Sequence, residues 1–80
     1  MDKELARHVV VVGFRSAAQL QSLLPLLKIN CNEEEYRTYL KAIAAAVDRI
    51  NVELSEQVFS SYPELRQEIE AKIAKYGQVI

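Results

Sequence analysis

The chain has 80 residues, with ten Lys and Arg against eleven Asp and Glu for a net charge of −1, and a single histidine and a single cysteine. That inventory excludes an intrachain disulfide and a Cys/His metal framework, and its spread cations make no concentrated basic face of the kind phosphate binding requires. A domain this short hides only about 60% of the surface its unfolded chain exposes, so oligomerisation is the expected reinforcement of a thin stability margin.

The first element begins near Asp2 and contains "HVVVVGFRS", His8 to Ser16. Four valines followed by Gly13 resemble a buried strand entering a phosphate loop. The spacing refuses it: a second glycine, a lysine and a Ser/Thr are needed after Gly13, and the chain offers Ala18, Gln19 and Leu20 instead. A strand would also lack a partner, since only the tail Gln78, Val79 and Ile80 is strand-like, and a pair that short is not stable in water. Helical phase, by contrast, survives Gly13. At 100° per residue Leu5, Val9, Val12, Leu20, Leu23, Leu24 and Leu27 share one face, expected to meet the core. Glu4, Arg7, His8, Arg15, Gln19 and Ser22 share the other. One helix over 2–24 is predicted, bent at most by Gly13.

Val10, Val11, Phe14 and Ala18 lie within or beside the polar side of that helix. A helix apolar on two sides is usually buried on two sides. These four residues are therefore the expected interaction surface, meeting another copy of the chain or a different protein. The alternative is that Phe14 swings into the core of its own chain.

Pro25 disfavours helical geometry at Leu24, so a stop is predicted there. Leu26, Leu27 and Ile29 are too apolar for a free loop and are expected to pack down over the core. The central element is a long helix over 33–60. Asn32 is its N-cap, Glu35 three residues on completes a capping box, and Cys31 is placed to staple onto Tyr36. Its apolar stripe is Tyr36, Leu40, Ile43, Val47, Ile50, Leu54 and Val58. The third helix, over 63–76, starts at Pro63, ends at Gly77 and buries Leu65, Ile69, Ile73 and Tyr76. It is expected to fold back across the long helix after a break near Ser60 to Tyr62.

The fold class predicted is all-α: one helical domain over 1–80 of three main helices with a long central one, completed by oligomerisation. His8 sits on the polar face and Cys31 lacks a cationic setting that would form a thiolate, so neither reads as catalytic. "NCNEEE" lacks the spaced acids and glycine of a calcium loop. No cofactor, no metal and no enzymatic activity are expected. Asp2 and Glu4 stand where a secretion signal wants positive charge, and Arg15 interrupts the apolar stretch short of a spanning length, so a cytoplasmic address without membrane contact is expected. The function expected is a non-catalytic interaction module, self-associating and dimeric. The alternatives are an immunity-like partner of one heterologous protein and a small DNA-binding regulator.

Overall fold

The computed structural model describes residues 1–79; Ile80, the last residue of the strand-like tail, lies outside them. The described chain is helical, with no strand among those residues. Helix α1 spans Lys3–Gln21, α2 Leu23–Asn30, α3 Glu33–Arg49, α4 Glu56–Ser61 and α5 Pro63–Tyr76, and a π-helical segment, Ile50–Ser55, joins α3 to α4.

The first element is longer than the sequence predicts. Asp2 caps α1, its carboxylate accepting from the Leu5 N–H at 2.8 Å, and the helix passes Gly13 without a break. It is interrupted at Ser22 rather than at Leu24. Pro25 has no N–H to donate to the Gln21 carbonyl and its ring crowds that carbonyl, so the disruption falls one turn before the proline. Ser22 keeps right-handed helical angles, so α2 continues the same rod, which runs Lys3–Asn30 over 28 residues. No residue of α2 is buried, and Ile29 is 81% exposed. The expectation that Leu26, Leu27 and Ile29 pack down over the core is thus corrected: α2 lies beside α3, where Leu27 is half-buried, and Leu26 and Ile29 project into solvent.

The second rod opens on the predicted capping box. Asn32 Oδ1 accepts from the Glu35 N–H at 2.8 Å, and Glu35 Oε1 accepts from the Asn32 N–H at 3.1 Å. Within it the π segment inserts an extra residue, and the Glu56 N–H reaches back to the Asn51 carbonyl, five residues away. That insertion rotates the downstream residues by one position. Ser55 is buried in place of Leu54, and Phe59 joins Val58 in the core. The rod breaks at Tyr62, whose backbone leaves the helical region ahead of Pro63, and α5 folds back onto α4. Gly77 ends α5 at φ +74°, its N–H donating to the Ile73 carbonyl at 2.8 Å.

The core collects Ala6 and Val10 from α1, Val58 and Phe59 from α4, Leu65 and Ile69 from α5, and Val79 from the tail. All of it lies at one end of the molecule. The dimensions are 45 × 25 × 15 Å, and the radius of gyration of 14.6 Å exceeds the roughly 12 Å typical of a compact chain this long. Fifteen ångströms is little more than one helix thick. The hairpin of the two rods therefore has an uncovered side.

Candidate interaction surface

The buried stripe of α1 is Ala6, Val10, Gly13 and Ala17. Its small side chains let the second rod approach closely. A Cβ placed on Gly13 would lie 3.3 Å from Leu54 Cδ2, 3.5 Å from Ile50 Cγ2 and 3.8 Å from Ser55 Oγ. The π segment thus crosses α1 at the glycine. Ser55 is 2% exposed there, and its hydroxyl has no hydrogen-bond partner.

This geometry redistributes the residues expected to form the interaction surface. Val10 is fully buried in the core of its own chain, so it presents nothing to a partner. Val11 and Phe14 are half-buried and packed against the same core. For Phe14 this is the alternative considered from the sequence. Ala18 alone of the four is exposed, where with Phe14, Val47, Asn51 and Ile73 it lines an open groove of about 530 Å³ beside the tail. The structure does not bring the four together as one free patch. The physical reason is that the second rod crosses α1 closest at Gly13, so burial follows the line Ala6, Val10, Gly13 and Ala17 rather than the most apolar face.

Most of the face expected to meet the core is left open; Leu24, of the same face, turns toward α3, where it lines a groove with Leu40 and Ile43. Leu5, Val12 and Leu23 are 49%, 45% and 44% exposed, Leu20 and Leu27 are half-buried, and Val9, also half-buried, packs with one side against the core as Val11 and Phe14 do. Leu54, turned out of the core by the π insertion, lies beside Val9 in the groove near Met1 and Tyr62. Tyr39 and Ala46 fall on the same side of α3 by helical phase. Ser16 is the only polar residue within the α1 stripe, and no charged side chain interrupts it.

Charge is gathered elsewhere. Arg7 grips Glu68 on α5 with two donors, at 2.6 and 3.1 Å, and also reaches Glu4 at 3.1 Å. The Arg7 hydrogen bond holds the Glu68 carboxyl below its ordinary range against the opposing effect of desolvation, and Glu68 in turn raises Arg7. Glu64 is lowered first by its own backbone N–H at the start of α5 and then by Lys3, 3.3 Å away. These pairs fasten α5 to α1 on the side away from the apolar flank. Arg37, Arg49 and Arg66 are likewise held by Glu33, Glu53 and Glu56.

What the flank itself offers is apolar contact. His8 is exposed on the polar face, Cys31 is half-buried and unpaired, and Ser55 has no base beside it. Among the described residues no group of three His, Cys, Asp or Glu is placed to hold a metal ion. The rod Lys3–Asn30 runs through Arg15 and is long and apolar enough to cross a membrane by length and composition, with mean hydropathy 1.3 in its most apolar window. The expectation that Arg15 cuts the apolar stretch short does not describe this rod. No protein-family model matches the chain, and no characterised protein or solved structure shows significant similarity to it.

Proposed function

We propose that this chain is a non-catalytic interaction module that works by pairing with a second copy through the uncovered flank of its first rod. One observation carries the reading. The accessible surface is 5750 Å², whereas a folded chain of 9.1 kDa ordinarily exposes about 4,900 Å². The excess, about 850 Å², is close to the roughly 800 Å² that each partner contributes to a standard interface. The flank that carries exposed leucine and valine is also free of charge, as interface centres are. A DNA-binding regulator is the weaker reading, because Lys3, Arg7, Arg37, Arg49 and Arg66 are neutralised by carboxylates of the same chain. Size-exclusion chromatography with light scattering tests the proposal: twice the 9.1 kDa chain mass is expected at tens of micromolar. A clean monomer there overturns it, and a monomer that dimerises only with a heterologous protein moves the function to the immunity-like alternative.

A further inference from the structure

Resting on that reading, we infer that the second copy lies antiparallel along the first rod, with the two-fold axis at Ser16, so that two helical hairpins close into a four-helix bundle.

The stripe reads Leu5, Val9, Val12, Ser16, Leu20, Leu23, Leu27, in steps of four, three, four, four, three and four residues. Those steps are the same in both directions from Ser16. They also form two units of eleven residues, a repeat of about 3.67 per turn that stays nearly in line on a straight helix. The stripe is therefore a nearly straight seam of about 33 Å, whose last two members, Leu23 and Leu27, lie past the Ser22 interruption on α2, which continues the rod. An antiparallel two-fold places Leu5 opposite Leu27 of the other copy, Val9 opposite Leu23, Val12 opposite Leu20 and Ser16 opposite Ser16. Each valine meets a leucine, the small-against-large alternation that fills a seam to interior density. Serine, the smallest member and exposed here, occupies the one position that must face itself. A parallel pair would instead set Val9 and Val12 on themselves and Leu20 and Leu23 on themselves, losing the small-against-large alternation, with the two helix dipoles aligned rather than opposed.

The second observation is angular. At 100° per residue the buried stripe of α1, centred between Ala6, Val10, Gly13 and Ala17, and the free stripe, centred on Ser16, lie about 90° apart. One direction meets the second rod of its own chain, and the other awaits a neighbour. Ninety degrees is the corner of a square bundle, in which every helix has two adjacent partners. On the second rod, Tyr39, Ala46 and Leu54 complete the same side, small residues between larger ones. A lipid surface is the poorer occupant, because an interfacial helix wants a lysine- and arginine-rich polar face, and opposite this stripe α1 carries Glu4, Arg7, His8, Arg15 and Gln19.

The test is disulfide trapping on the full chain with Cys31→Ser as background. Ser16→Cys is expected to give a covalent dimer under mild oxidation, Leu5→Cys alone almost none, and the Leu5→Cys, Leu27→Cys double variant a strong dimer again. Far-ultraviolet circular dichroism confirms that each variant folds, and Val12→Glu is expected to yield a helical monomer. Efficient trapping by Leu5→Cys alone overturns the antiparallel geometry while leaving self-association intact. A dimer of native mass trapped at neither Ser16 nor the Leu5/Leu27 pair places the contact elsewhere and also overturns it. A monomer before any cysteine is introduced removes the proposed function itself. A monomer that floats with vesicles of mixed phosphatidylcholine and phosphatidylglycerol assigns the stripe to a membrane.

Discussion

Replacing Gly13 with alanine sets two effects against each other whose sizes follow from the structure. Glycine in a helix interior is about 1 kcal/mol less favourable than alanine, because it surrenders more backbone freedom on folding. Against that gain stands the new Cβ, 3.3 Å from Leu54 Cδ2 and 3.5 Å from Ile50 Cγ2. The first contact is tight, but it falls on the tip of a flexible side chain that is 41% exposed and has room to retreat. The second is an ordinary van der Waals distance. A displacement of a few tenths of an ångström in Leu54 recovers only part of the gain, so Gly13→Ala is expected to stabilise by about 0.5–1 kcal/mol, or roughly 3–6 °C in a domain of this size. Gly13→Val adds two further carbons into the crossing and is expected to lower stability by about 1–3 kcal/mol through overpacking. Thermal unfolding followed by far-ultraviolet circular dichroism, at one fixed protein concentration, measures both. A fall in Tm for the alanine variant would refute the reasoning, since it would show that the backbones, not the Leu54 tip, set the approach at this crossing.

Val10→Asp is expected to abolish the fold rather than dissociate a dimer, because an unpaired charge in that fully buried site costs several kcal/mol against a small total stability. Loss of helicity in circular dichroism checks it, and a helical monomer would contradict the core placement. Ser55→Ala is expected to be neutral or stabilising by up to about 1 kcal/mol, since it removes a buried hydroxyl that has no partner; a clear loss in urea unfolding would mean the hydroxyl is bonded after all. Glu68 has a lowered folded pKa, so its contribution is complete above the unfolded carboxylate value of about 4.3 and disappears as pH falls through the folded one. Glu68→Gln is therefore expected to destabilise at neutral pH and to flatten the acid limb of a Tm-against-pH series, with no difference from the native chain at the lowest pH. On the proposed pairing, where association and folding are coupled, Tm is expected to rise with concentration, by about 8 °C per hundredfold for a dimer of this size. An unchanged Tm across that range would separate the flank from stability.

The element types and the helix boundaries at Asn32, Pro63 and Gly77 were legible because they rest on local chemistry. Asn32 with Glu35, Pro63 after Tyr62, and Gly77 are signals that act within a turn or two and need no knowledge of the rest of the chain. The valine run was legible as helix for a similar reason, since one phase fits both sides of Gly13. Which side of that helix is buried was not legible, and the failure has a specific cause. Hydrophobic periodicity ranks faces by apolarity, and on that ranking Leu5, Val9, Val12, Leu20 and Leu23 outweigh Ala6, Val10, Gly13 and Ala17. Burial inside the chain was decided by where the second rod crosses instead, since it comes within van der Waals reach of the backbone at Gly13 and buries the residues on that line.

The π insertion was equally invisible to periodicity, yet it left a trace. A straight helix from Ile43 places Leu54 inward and Ser55 outward, and no regular α-helix buries Ile43 on the same face as Ser55 and Phe59 while turning Leu54 out. One extra residue per turn accomplishes it, at the expense of an orphaned serine hydroxyl. Both departures push in the same direction: Leu5, Val12 and Leu23 of the first rod and Leu54 of the second go to the outside of a layer 15 Å thick, while Gly13, Ala17 and Ser55 go to its inside. A chain selected to be stable alone gains nothing from that exchange. A chain whose second layer is its own copy gains a close intrachain contact and an apolar seam from the same set of residues, which is why the open face and the excess surface are one observation rather than two.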